Sequence, residues 1–119
     1  MEDLAGLKFR ISGFAGHLFA KMGAAPTQIA GADIYPALER GTIDAAEWIG
    51  PYDDEKLGFA RVARYYYAPG FWEGSSRGVF MVNLRAWESL PDTYKHVLEM
   101  ACQEATMDMA AKYDDANPK

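Results

Sequence analysis

The sequence predicts an α/β fold built on a largely parallel sheet with a long C-terminal helix. Three observations carry that prediction. Over about the first fifty residues, short strand-like segments alternate with segments of helical spacing, giving a βαβαβ order. Gly23 and Gly41 stand where helices of that order should end. The chain then finishes in a stretch of helical periodicity, residues 92–113.

Each element follows from its residues. Residues 7–12 alternate apolar and polar, which predicts one buried face, with Lys8 and Arg10 together on the other. Residues 14–22 read as a short helix with Phe14, Leu18 and Met22 along one face. Residues 26–30 form the second strand. Residues 32–40 form the second helix, with Asp33 suited to its N-cap and Pro36 to its first turn. Residues 42–49 are the third strand, delivering Glu47 and Trp48 to its carboxyl end. After a turn rich in oxygen ligands, residues 50–54, a short helix is expected over 53–59 and a strand or extended segment over 61–68. The aromatic run Tyr65, Tyr66, Tyr67 is expected in the core or on the sheet surface. Residues 78–83 are continuously apolar and read as a strand buried on both faces. Residues 86–90 make a helical turn stopped by Pro91. The long helix then carries an apolar stripe of Tyr94, Val97, Leu98, Ala101, Ala105 and Met109.

Composition narrows the function. At 119 residues, the sequence fits a single domain spanning 1–119. A net charge of -5 with no basic stripe argues against a nucleic-acid partner. No apolar run approaches the roughly 18–20 residues that span a bilayer. The acidic opening of Met1, Glu2 and Asp3 does not read as an export signal. Cys102 is the single cysteine, and His17 and His96 fall in different elements, which makes a zinc site a poor fit. There is no Gly-rich phosphate loop and no nucleophile–base arrangement, so the chain does not read as an enzyme. Glu47 and Glu73 are an acid–base pair only in principle.

The residues that suggest binding are two acid–aromatic pairs, Glu47 with Trp48 and Trp72 with Glu73. Arg10 is the best anion ligand, because a guanidinium grips a carboxylate through two parallel hydrogen bonds. The same spacing equally suits a surface strand arginine. Glu47 is a hard oxygen ligand for sodium or calcium, or an exposed strand-end carboxylate. Trp48 and Trp72 suit the walls of an apolar slot, or plain core. Asp53, Asp54 and Glu55 suit a helix cap.

Longer motifs join these residues. The runs Gly-Leu-Lys-Phe-Arg-Ile-Ser-Gly at 6–13, Lys-Met-Gly-Ala-Ala-Pro at 21–26 and Ile-Tyr-Pro-Ala-Leu-Glu-Arg-Gly-Thr-Ile-Asp-Ala-Ala-Glu-Trp at 34–48 resemble the solute-binding subunit of TRAP transporters, the DctP family. Residues 50–59 and 65–73 are similar to the branch that binds 2-oxo and 2-hydroxy monocarboxylates with a bridging cation. The resemblance implies one lobe of a type II periplasmic-binding-protein fold, the second of two lobes, with 78–113 as the return strand and long helix. It implies that Arg10 holds the ligand carboxylate, that Glu47 and the Trp48 carbonyl bind the cation, and that Glu73 completes the shell. Sodium or calcium is the implied cofactor, a small organic acid the ligand, membrane transporter subunits the partners, and the periplasm the location. A lone lobe predicts weak binding and a homodimer through the uncovered return strand and helix. The alternative is a freestanding oligomeric interaction module derived from that lobe, without transport function.

Overall fold

Phe9 and Arg10 sit at the middle of a three-stranded parallel sheet in the computed structural model, which describes residues 2–74 and 77–117. The chain divides into two units, Met1–Trp72 and Glu73–Lys119.

In the first unit the strands are β1 (Lys8–Arg10), β2 (Ala25–Thr27) and β3 (Ala45–Ala46), in the order β2-β1-β3. Phe9 pairs with Pro26 on one side and Ala45 on the other, and Arg10 with Thr27 and Ala46. Helices α1 (Gly13–Lys21) and α2 (Gly31–Glu39) make the two crossovers. A third helix, α3 (Pro51–Lys56), follows β3, and a 3-10 turn at Phe59–Arg61 follows that. The predicted βαβαβ order is therefore present, with strands shorter than the apolar pattern suggested. The end-glycine prediction also holds: Gly23 (φ 99°) and Gly41 (φ 67°) follow the last residues of α1 and α2 in the left-handed region.

Two apolar clusters flank the sheet. Phe9, Ile11, Phe19 and Ala24 form the first, with Ala45 and Trp72 packed against it. Ile34, Ile43 and Phe59 form the second, with Ala46 and Trp48 against it. Consecutive Ala45 and Ala46 thus face opposite clusters, as a pleated strand requires. Phe9 and Phe19 meet edge to face at 4.9 Å. Ile34 is fully buried, and burying such a side chain contributes about 1.5–3 kcal/mol.

Several expectations are corrected. Arg10 does not share a solvent face with Lys8; it is buried, while Lys8 is exposed and bonded to Asp44. The reason is that Arg10 ends the strand with its guanidinium over the Trp48 ring and turned toward main-chain carbonyls. Phe14 is 80 % exposed, and α1 buries Gly16 and Phe19 instead. Helix α2 begins at Gly31, so Ala30 and not Asp33 is its N-cap, and Pro36 lies within the second turn. Residues 62–68 form no strand, and Tyr65, Tyr66 and Tyr67 are exposed, because the sheet ends at three strands and offers that run no ladder.

The second unit contains α4 (Leu84–Ser89) and α5 (Asp92–Ala116). Asn83 caps α4 by accepting from the Arg85 and Ala86 amides, and Pro91 opens the long helix. The described residues 77–83 are not a strand: Val79, Phe80 and Met81 are exposed and no sheet strand pairs with them. The stripe on α5 is likewise open at Tyr94, Val97 and Met109, with Leu98 half-buried. Phe80, Val82, Leu84, Trp87 and Leu98 line an open groove of about 470 Å³ within this unit. Among the described residues no helix is long and apolar enough to cross a membrane.

Candidate functional site

A parallel sheet presents its loops at the carboxyl ends of its strands, and ligands of open α/β folds bind there. Arg10 ends β1 at that edge. Its Nε donates to the Ile29 carbonyl at 3.2 Å and its Nη1 to the Glu47 carbonyl at 2.8 Å. Nη2 takes part in neither bond. The Glu47 carboxylate lies 3.6 Å from Nη1, and the guanidinium carbon sits 4.9 Å from the centre of the Trp48 ring. Both members of the ion pair are largely shielded, at 9 % and 18 % side-chain exposure. A guanidinium held by carbonyls and an indole keeps a fixed orientation, which is what recognition of a planar carboxylate needs.

Backbone bonds place these groups. The Glu47 amide donates to the Arg10 carbonyl at 2.8 Å, extending the β1–β3 ladder by one residue and setting Glu47 beside Arg10. Trp48 then lies against the second cluster and over Gly31 at the start of α2. A methyl group on Gly31 would stand 2.5–3.2 Å from three atoms of the indole, so only glycine leaves the ring its place.

The residues that follow are held by Asp54, one of two buried charged side chains among those described. Its Oδ1 accepts from the Ile49 and Gly50 amides at 3.3 and 3.4 Å, and its Oδ2 from the Tyr66 hydroxyl at 2.9 Å. The short helix begins at Pro51 and not at Asp53, so Asp54 stands inside it and reaches back to the amides that precede it rather than serving as the N-cap, which is Gly50. Burial, and then the hydrogen bond and charge of Asp54, push the Tyr66 hydroxyl up to about 12. At the opposite end of the sheet, the Lys8 amide and ammonium hold the Asp44 carboxyl below its usual range.

The structure brings Arg10, Glu47 and Trp48 together. Trp72 is elsewhere: it meets Phe19 edge to face at 5.0 Å in the first cluster, whereas Trp48 belongs to the second. Glu73 is exposed and opens the second unit. As to a cation, the Glu47 carboxylate and the adjacent Trp48 carbonyl are both hard oxygens. The described residues gather no group of three His, Cys, Asp or Glu side chains that would hold a metal by themselves. The donor set fits an open site in which the solute supplies further oxygens. Sequence reasoning missed Ile29, Gly31 and the Asp54–Tyr66 bond. The glycine before Ala32 and Asp33 was the one available signal.

Comparison with known proteins gives the family and the fold. The family model of bacterial extracellular solute-binding proteins, family 7 (DctP), matches residues 1–119. A monocarboxylate 2-oxoacid-binding periplasmic protein of Nostoc sp. is 46% identical over 117 residues, which are 98% of this chain and 32% of that protein. A TRAP transporter solute-binding protein of Bordetella bronchiseptica, crystallised as a mixed-occupancy dimer with calcium and picolinate, is 57% identical. It superposes with a TM-score of 0.88 over 98% of this chain and 35% of its own. A TRAP periplasmic solute-binding protein of Pseudoalteromonas atlantica, with bound sodium and pyruvate, is 48% identical with a TM-score of 0.89 over the same shares. This chain therefore spans about a third of the length of these relatives. The chain belongs to the DctP family of bacterial extracellular solute-binding proteins.

Proposed function

We propose that this chain is a ligand-binding lobe of a TRAP-type periplasmic solute receptor, specific for a small 2-oxo or 2-hydroxy monocarboxylate bridged by sodium or calcium. The observation that carries the reading is the buried Arg10, aligned by two carbonyls and stacked on Trp48, beside the Glu47 carboxylate. In this reading Arg10 grips the solute carboxylate, and Glu47 and the Trp48 carbonyl hold the cation. The cation's charge offsets two facing carboxylates, that of Glu47 and that of the solute. Trp48 borders the solute. Relatives that carry pyruvate with sodium and picolinate with calcium support the ligand class. Binding, not catalysis, is the activity, and delivery to membrane transporter subunits is its purpose.

A thermal melt tests this. Pyruvate and calcium together should raise the melting temperature more than either alone, since a ligand of the native state stabilises by mass action. Glu47→Ala should abolish the joint effect. No shift at millimolar concentrations of both would overturn the reading.

A second reading rests on the exposed apolar residues Val79, Phe80, Met81, Leu84 and Val97 of the second unit. They favour a homodimer through that unit, and in its alternative form an interaction module without transport function. Light scattering that finds only monomer at micromolar concentration excludes it.

A further inference from the structure

The solute-binding reading employs one of the two buried charged residues, Arg10, and leaves Asp54 without a task. Asp54 serves the strip of chain between β3 and α3. The Ile49 and Gly50 amides precede the first turn of α3 and have no helical acceptor, and Pro51 contributes no N–H. Asp54 Oδ1 accepts from both. Its other oxygen accepts from Tyr66, twelve residues on in a segment without regular structure. The Tyr66 side chain is mostly exposed, so its contribution is the hydroxyl and not buried apolar area. On the near side, the Glu47 amide is tied to Arg10. Residues 47–50 are therefore fastened at both ends, with Trp48 between the fastenings.

We propose that Asp54 and Tyr66 act as a positioning pair that fixes residues 47–50, so that the Glu47 carboxylate and Trp48 carbonyl are already arranged for a hard cation. The proposal deepens the solute-and-cation reading and rests on it. Hydrogen-bonding partners one step behind metal ligands commonly set affinity by holding those ligands in place. Here the step runs through backbone: the carboxylate holds the amides that follow the ligating peptide.

The experiment uses the full chain with Tyr66→Phe and Asp54→Asn, at a temperature where both are folded. Calcium is titrated calorimetrically with pyruvate present, and amide hydrogen exchange is followed residue by residue. Tyr66→Phe should weaken calcium binding about 10-fold and speed exchange at Ile49 and Gly50, leaving Phe9 in β1 as protected as before. Asp54→Asn keeps the shape and one acceptor oxygen and should do the same. Faster exchange at Ile49 and Gly50 with unchanged calcium affinity overturns the proposal. So does a loss of protection spread evenly through β1, which marks a purely structural role. If the unaltered chain takes up no calcium with pyruvate, the solute reading fails. The cation-positioning proposal then falls with it, an outcome distinct from calcium binding that the two variants leave unchanged.

Discussion

Gly31→Ala is a small change aimed at the centre of the site. The new Cβ would stand 2.5, 2.8 and 3.2 Å from three atoms of the Trp48 ring, where ordinary carbon contacts are about 3.5–4.0 Å. The far edge of the indole must therefore retreat by about 1 Å. It is not free to do so, because the ring packs on the second cluster and under the Arg10 guanidinium. Overpacking of this kind costs about 1–3 kcal/mol. Replacing a helical glycine by alanine returns up to about 1 kcal/mol, less at a first helical position. The net expectation is a destabilisation of about 1–2 kcal/mol, or roughly 5–10 °C in melting temperature for a unit this small. Loss of the stacked arrangement should also weaken pyruvate binding with calcium, since Trp48 fixes the plane of Arg10. Circular-dichroism melts and calorimetric titration read the two effects. A double-mutant cycle isolates the cause: in a Trp48→Leu background the penalty of Gly31→Ala should largely vanish. A Gly31→Ala variant as stable as the parent, or a penalty unchanged without Trp48, would refute the packing argument.

Further outcomes follow from the same geometry. Arg10→Lys keeps the charge but loses the fork and the stacking, and should cut affinity for pyruvate at least 10-fold, measured by calorimetry with calcium saturating. Tyr66 has a raised folded-state pKa, so its contribution is fully present below its ordinary value near 10. It is lost as pH rises toward about 12; a Tyr66→Phe variant should lack that alkaline decline in a pH series of melts. Asp44 is lowered in the folded chain, so its contribution is present above its ordinary value of 3.8 and lost as pH falls through the lower folded value. Asp44→Asn should flatten the acid limb of the same series, with the alkaline limb unchanged.

The sequence made the order of elements legible because helix ends and apolar periods are local properties. Gly23 and Gly41 marked two helix ends, and the motif around Arg10, Glu47 and Trp48 named three residues that the fold brings together. Arg10 was harder. Alternation assigns a strand arginine to solvent, and nothing local reveals that its partners are carbonyls 19 and 37 residues away. Gly31 looked like loop, yet it is the floor beneath an indole. The Asp54–Tyr66 bond spans a segment without secondary structure, so no periodicity carries it. Residues 78–83 were misread because a continuous apolar run resembles a buried strand, whereas strand formation needs a neighbour with free backbone groups. The two tryptophans, similar in context, pack on different clusters, Trp72 on the first and Trp48 on the second.

The central claim is that Arg10 and the Glu47–Trp48 step together hold an organic acid and its cation. A crystal structure of the chain grown with pyruvate and calcium tests it most directly. The account predicts the pyruvate carboxylate about 2.8 Å from the Arg10 guanidinium, and calcium about 2.4 Å from a Glu47 carboxylate oxygen and the Trp48 carbonyl. Pyruvate bound away from Arg10, or calcium held without Glu47, would contradict it.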